Sequence, residues 1–366
     1  RRSSSAASDV YKRQLLVFNM TKTMPPIPDP AVIPRDVSLG LTNPEDVAFP
    51  LRWGIVGAGE ISRQFVLSSK AVPGANMAAV FSRSLEKAEN FANSYGVVNA
   101  YDSLEEMLAS SEIDIVYIGT PQEIHKEHSI KALNAGKHVL CEKALTESLE
   151  DAKEMYAAAE KNNVMLQDGV WPRFFPAMEH ARNLIESNAI GDVLMVQADF
   201  DPFYTLQAVT LAFGIDAKPI DIKVSGKAPG PGGAILEFEN NRFANLTFIA
   251  YPSEFPEVTE ITGTKGRITL EQPAHCPTSL TVRIPPITPS RYMRDNTPSP
   301  SQRFDYPLPS SVSVPRSFVN QQGFVYMIEA IHRCLAARLL ECPQFNKQDS
   351  LHLMEILHGV LKYRKV

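Results

Sequence analysis

The 366-residue sequence is short of cysteine, of positive charge and of long apolar runs, and each shortage closes off a class of answers. Its four cysteines, Cys141, Cys276, Cys334 and Cys342, lack metal-ligand spacing and are too sparse for a disulfide scaffold, so we expect no metal and a reducing, cytoplasmic compartment. Basic residues number 36 against 41 acidic ones, a net charge of −5, and no basic surface points to a nucleic-acid partner. The apolar runs are strand-sized, well below the roughly 20 residues that cross a bilayer, which argues against a membrane. No internal repeat is apparent.

What is there is ordinary globular composition, 44% hydrophobic and 21% charged, in a chain long enough for two domains with full cores. Ser4 to Gln14 reads like the translation of a transposon-type sequencing adaptor and is set aside, with Met20 or Met24 as the expected start. Residues 25 to 50 are proline-rich and are expected to form an irregular lead-in without a core of their own. We therefore divide the chain into residues 1–50, a dinucleotide-binding domain at 51–172 and a second domain at 173–366.

The organising stretch runs from Leu51 through Gly57, Ala58, Gly59, Glu60 and Ile61 to Ser62, and reads as buried strand, glycine turn and helix start. Gly57 would make the tight turn, and Gly59 would let backbone approach a pyrophosphate held at the helix N-terminus. The pattern alone also suits any strand-to-helix bend, and Ser62 stands where a third glycine or alanine is usual. Downstream, strand-like and amphipathic helical runs alternate for over a hundred residues, as in a parallel sheet covered by helices. A second strand, Ala75 to Phe81, ends in Ser82-Arg83 with no carboxylate; this favours NADP over NAD, unless Arg83 is only a solvated charge. Ser84, Ser103 and Ser148 have helix-capping positions, the last two with capping-box spacing.

The next apolar strand, Ile113 to Ile118, leads into Gly119-Thr120-Pro121 and a helix bearing His125 and His128. Thr120, Pro121 and His125 are thereby placed at the cofactor crevice, the alternative for His125 being a position on the helix surface. A fifth strand, His138 to Lys143, ends on Glu142 and Lys143, two ionisable groups that are costly at that place unless paired or employed. A structural ion pair and a catalytic role stay open for them. After a strand at Val164 to Val170, Trp171-Pro172-Arg173-Phe174-Phe175-Pro176 is either an aromatic hinge between domains or a cleft wall in which Arg173 meets a polar substrate.

Together these motifs resemble the Gfo/Idh/MocA oxidoreductases, and among them the dimeric dihydrodiol dehydrogenase and NADP-dependent D-xylose dehydrogenase branch. The likeness rests on Arg52 to Gly57, Gly119-Thr120-Pro121 with His125, Cys141-Glu142-Lys143, Trp171 to Pro176, Ile261 to Gly266 and the C-terminal Leu340-Glu341-Cys342-Pro343. It implies an N-terminal Rossmann doubly wound parallel sheet and a C-terminal α+β domain with an open, mostly antiparallel sheet. It further implies hydride transfer between a CH–OH carbon of a sugar or diol and NADP. Gly57, Gly59, Glu60, Ile61, Ser82, Arg83, Thr120, Pro121, His125, Glu142 and Lys143 would serve the cofactor, and Trp171, Arg173 and Phe174 the substrate. Tyr204 aligns with the family's catalytic tyrosine; Lys143 would orient it, and its charge would favour tyrosinate from a phenol of ordinary pKa about 10. A homodimer through the open sheet is also implied.

Two departures stand out. Ala144 replaces the proline of the family's Glu-Lys-Pro, and Asp199 to Tyr204 lacks the long glycine-rich loop that usually precedes the tyrosine. Asp201 and Pro202 instead read as N-cap and first residue of a helix from Tyr204 to Phe213. A cofactor-binding protein with impaired catalysis is therefore the rival reading. Six further strands are expected between Pro219 and Ile284, with Asn240-Asn241 as a hairpin turn, then an irregular loop from Pro285 to Pro315 and two closing helices.

Overall fold

The structure is a computed structural model describing residues 33–228, 230–249, 256–285 and 300–364. The adaptor-like segment and the two candidate start methionines lie outside the described residues, as do part of the Pro285–Pro315 loop and the end of the strand expected to reach Tyr251.

The lead-in corrects the expectation of irregular chain. It forms α1 (Arg35–Ser38) and a 3-10 turn at Pro44–Ala48, and it is tied to the body through Asp36, which is fully buried. Arg333 donates to Asp36 through Nε at 2.6 Å and Nη2 at 3.0 Å, and Thr42 and Gln344 also donate to this carboxylate. Burial pushes the Asp36 carboxyl up, but these donors, Arg333 first, hold it below its usual range. The sequence pattern missed this because the partner lies 297 positions away.

The first sheet contains β1 (Leu51–Val56), β2 (Ala75–Phe81), β3 (Asn99–Tyr101), β4 (Ile115–Ile118), β5 (His138–Glu142) and β6 (Leu166–Gly169), all parallel in the order β3-β2-β1-β4-β5-β6. This is the doubly wound order, whose direction of winding reverses between β1 and β4. Its central strands are buried on both faces, as the unbroken apolar runs required. The covering helices are α2 (Glu60–Ser69), α3 (Leu85–Tyr95), α4 (Leu104–Ala109), α5 (His125–Asn134) and α6 (Leu149–Asn162). Ser84, Ser103 and Ser148 accept backbone N–H bonds from Lys87, Glu106 and Asp151, so the three caps form where expected.

Beyond β6, a 3-10 turn (Trp171–Phe174) and α7 (Pro176–Glu186) lead to the second sheet. It comprises β7 (Val193–Phe200), β8 (Pro219–Gly226), β9 (Gly232–Phe238), β10 (Arg242–Phe248), β11 (Thr259–Gly263), β12 (Arg267–Leu270), β13 (Ser279–Arg283) and β14 (Ser301–Asp305), ordered β14-β13-β12-β11-β7-β10-β9-β8. Asn240 and Asn241 both take positive φ, 60° and 57°, which is the turn that joins a tight hairpin. Pairing is antiparallel except between β7 and β10, because the chain leaves β7 into α8 (Pro202–Phe213) and returns through β8 and β9. β14 is a second correction: residues 301–305, expected as irregular loop, add an edge strand to β13.

The last helices, α9 (Phe324–Ala336) and α10 (Lys347–Tyr363), pack back on the body. One core joins the α2 side of the first sheet to the inner face of the second, with Trp171 lying edge-on to Phe175 at 5.2 Å and to Phe324 at 5.4 Å in between. The other face of the first sheet has its own core, around Met107, Leu133 and Met155.

Candidate active site

The glycine turn after β1 faces the turn after β4 across the switch point. Gly57 has φ +101°, and a Cβ there would lie 2.9 Å from Thr120 Cγ2 and 3.1 Å from Gly119 O. Only glycine fits both conditions. Gly59 is extended and nearly free of neighbours, so it keeps the space before the α2 N-terminus open. Ser62 is buried against Gly119, whose own Cβ would meet Ser62 Oγ at 2.4 Å, which explains a small residue at that place. Ser62 Oγ and Thr120 Oγ1 are buried without a hydrogen-bond partner among the described residues. Free helix N–H groups, a cradle that a side chain would fill and two unpaired hydroxyls suit a dinucleotide phosphate.

The other expected cofactor residues divide. Ile61, Thr120, Glu142 and Lys143 line a cleft of about 450 Å³ at the carboxyl ends of the strands. Glu60 turns to Arg63 and Gln64, and Pro121 is exposed. Arg83 stands exposed just past β2, with no ion pair among the described residues, and Ser82 beside it is half-buried. His125 is neither crevice lining nor helix surface. It is 1% exposed, with Nε2 2.8 Å from Thr120 O and Nδ1 3.3 Å from both Ala144 O and Leu145 O, so it braces the two turns against each other from behind.

Glu142 is buried and accepts a 2.7 Å hydrogen bond from Tyr117 Oη. Burial raises its carboxyl, opposed by Lys143 and Tyr117. The Lys143 Nζ stands 4.8 Å from the centre of the Tyr204 ring. Its ammonium is held well above the usual value, chiefly by the charge Tyr204 carries when ionised, against burial and with help from Glu142 and Asp201. The phenol itself behaves otherwise than expected: burial raises it, and Lys143 and a hydrogen bond from Trp171 draw it only part of the way back. The site therefore presents a cation beside a neutral phenol at neutral pH, not a tyrosinate. Asp201 caps α8 by accepting from Phe203 N at 2.9 Å, with Pro202 as first helical residue; this short turn brings Tyr204 into the cleft directly from β7.

Of the three residues expected at the substrate, Trp171 lines the cleft. Arg173 does not. It is 2% exposed, and its guanidinium donates to Gln207 Oε1 at 2.8 Å, Gln207 O at 2.6 Å and Thr210 Oγ1 at 2.6 Å, which ties the Trp171 turn to α8. Phe174 is likewise core. Both residues therefore pack in the aromatic hinge, with three of the arginine's five N–H donors engaged inside the protein. Reasoning from sequence also missed Phe200, His275, Phe318, Val319 and Gln321 in the cleft lining. Each comes from a turn or strand end far along the chain, and no local pattern marks them. Among the described residues no group of three His, Cys, Asp or Glu is placed to hold a metal, and no helix is long and apolar enough to cross a membrane.

The sequence profile of the Gfo/Idh/MocA group, described as an oxidoreductase family with an NAD-binding Rossmann fold, matches residues 51–170. A protein of Danio rerio named trans-1,2-dihydrobenzene-1,2-diol dehydrogenase is 32% identical over 84% of this chain and 95% of its own length. A Homo sapiens protein of the same name is 28% identical, covering 85% and 96%. Among solved structures, the 3-ketoreductase KijD10 of Actinomadura kijaniata, in complex with NADP and TDP-benzene, superposes with TM-score 0.69 at 21% identity over 86% of this chain and 97% of its own. A levoglucosan dehydrogenase, in complex with NADH and levoglucosan, gives 0.72 at 18% identity with the same coverage. At those identities the structural likeness speaks of the fold.

Proposed function

Because the chain belongs to the Gfo/Idh/MocA oxidoreductase family, we propose that it moves a hydride between a CH–OH carbon of a sugar or diol and NADP, with D-xylose and trans-1,2-dihydrobenzene-1,2-diol as the substrates to try first. The observation that carries this reading is the Lys143–Tyr204 pair, set in one cleft with Thr120 and Ile61 at the end of the parallel sheet. The preference for the phosphorylated cofactor rests on Arg83, exposed after β2 with no carboxylate at that strand end.

When bound, the nicotinamide supplies or accepts the hydride. The chain's own part is the proton. Tyr204, neutral and partly open to the cleft, donates its hydroxyl proton to a substrate carbonyl oxygen as the carbon is reduced to CH–OH. The Lys143 ammonium beside it stabilises the phenolate left behind. Oxidation runs the same path backwards and first requires that Tyr204 lose its proton. Burial opposes that loss and the neighbouring Lys143 charge favours it.

A second reading, a cofactor-binding protein with impaired turnover, is favoured by the direct passage from β7 into α8 at Asp201, where the family resemblance would place a glycine-rich loop. A misplaced substrate costs orders of magnitude in rate while cofactor binding survives. Steady-state assays with D-xylose and a trans-dihydrodiol, each with NAD and NADP, test the first reading. NADPH binding without turnover, cured by restoring a glycine-rich loop between Phe200 and Tyr204, identifies the second. A homodimer through the outer face of the second sheet, where Ile235 and Phe243 stand exposed, completes the proposal; a monomer mass by light scattering at micromolar concentration refutes it.

A further inference from the structure

His275 sits in the cleft wall yet belongs to none of the motifs that mark the family. Its setting differs from that of two other buried histidines. His125 has backbone carbonyls against both ring nitrogens. His332 faces Phe49 O through Nδ1 at 2.8 Å and receives the Trp53 indole N–H on Nε2 at 3.2 Å. Both are structural braces whose two nitrogens are spent.

In His275 only Nδ1 has a strong partner, the buried carboxylate of Glu257. That contact makes Nδ1 the donor, and in the neutral ring it leaves the Nε2 lone pair as an acceptor. The partner of Nε2 among the described residues is the Cys276 sulfur at 3.2 Å, and this thiol also faces Val319 O at 3.6 Å. A thiol is a weak donor, so a hydroxyl arriving from the cleft would displace it at little cost. The ring cannot swing away. It stacks on Phe200 at 4.7 Å and packs against Tyr204 at 4.8 Å, with the Trp171 edge 6.1 Å distant. Glu257 is itself anchored, because Ala274 N donates to its carbonyl oxygen at 3.0 Å.

We propose that His275, oriented by Glu257, is a specificity-determining residue that accepts a hydrogen bond from a second substrate hydroxyl, next to the carbon that reacts at Tyr204. The inference rests on the alcohol-oxidoreductase reading and narrows it. The cleft selects vicinal diols and polyols over monohydric alcohols, since only they present one hydroxyl to Tyr204 and another to a ring packed directly against it.

The test uses the full chain loaded with NADP⁺ and two probes of nearly equal shape, trans-cyclohexane-1,2-diol and cyclohexanol, with binding read by calorimetry and not by turnover. We expect the diol to bind the wild type about tenfold more tightly, the scale of one hydrogen bond. His275→Phe, which keeps the ring packing, and Glu257→Gln, which removes the orienting charge, should bring the two probes within about threefold of each other. NADP⁺ affinity should stay near wild type and the loss should fall on the diol-to-cyclohexanol ratio, separating this role from collapse of the cleft. A diol preference that survives His275→Phe overturns the assignment alone. Failure of both alcohols to bind the NADP⁺-loaded wild type overturns the alcohol-oxidoreductase reading together with it.

Discussion

Replacing Asp168 with asparagine should make the protein more resistant to unfolding above neutral pH and should make little difference near pH 4. Asp168 lies in β6 with 1% of its surface exposed; Ser350 Oγ donates to Oδ2 at 2.7 Å, while Oδ1 has no partner among the described residues. Burial raises its carboxyl from 3.8 to about 7, Ser350 opposing and the neighbouring Glu142 adding to the rise. A carboxyl whose pKa is higher folded than unfolded binds its proton more tightly in the folded state. Its contribution is fully present below about 3.8 and is lost as pH rises through about 7. At about 1.4 kcal/mol per unit, the three-unit shift means that the ionised group costs the folded state about 4 kcal/mol at pH 8, against roughly 1.5 kcal/mol at pH 5. Asparagine keeps an acceptor for Ser350 and carries no charge. The stability difference between variant and wild type should therefore grow in favour of the variant by about 2–3 kcal/mol between pH 5 and pH 8. Urea denaturation followed by the fluorescence of Trp53 and Trp171, both buried, measures it at each pH. A difference flat with pH, or one that grows in the opposite direction, would refute the argument.

Arg83→Glu should reverse the preference for NADP over NAD, and an unchanged ratio of the two dissociation constants removes Arg83 from the cofactor site. Gly57→Ala should weaken dinucleotide binding by about tenfold or more, since the new Cβ meets Thr120 Cγ2 at 2.9 Å on a backbone with φ +101°; affinity within twofold of wild type, by fluorescence titration, speaks against the cradle. In a loop-restored chain, Lys143→Ala and Tyr204→Phe should each lower kcat by about 10²–10⁴, with Tyr204→Phe leaving NADPH affinity within about threefold. Undiminished kcat in Tyr204→Phe shows that another group moves the proton.

Most of the first sheet was legible because its information is local: buried parallel strands read as unbroken apolar runs, and the Ser84, Ser103 and Ser148 caps announce helices within a few residues. The glycine turn and Lys143 were legible for the same reason, since each sits at a strand end that the apolar pattern locates. Asp201 and Pro202 gave the start of α8 correctly even where the family's pattern fails. The errors have one cause in common. Arg173 carries the composition of a substrate residue, but Gln207 and Thr210 occupy its donors from a helix more than thirty positions on.

By itself, then, the order of residues determined most of the strands, with β14 the exception, and the positions of Gly57, Lys143 and Tyr204, all of which depend on neighbours within a turn or a strand. Tertiary structure alone decided which charged or polar side chains were free for chemistry. Asp36 in the lead-in became the buried partner of Arg333, His125 became a brace and His275 became a cleft residue held by Glu257. It also decided the state of Tyr204, which Lys143 would lower and burial raises further. Burial is a sum over every element that packs around a group, and no stretch of sequence contains that sum.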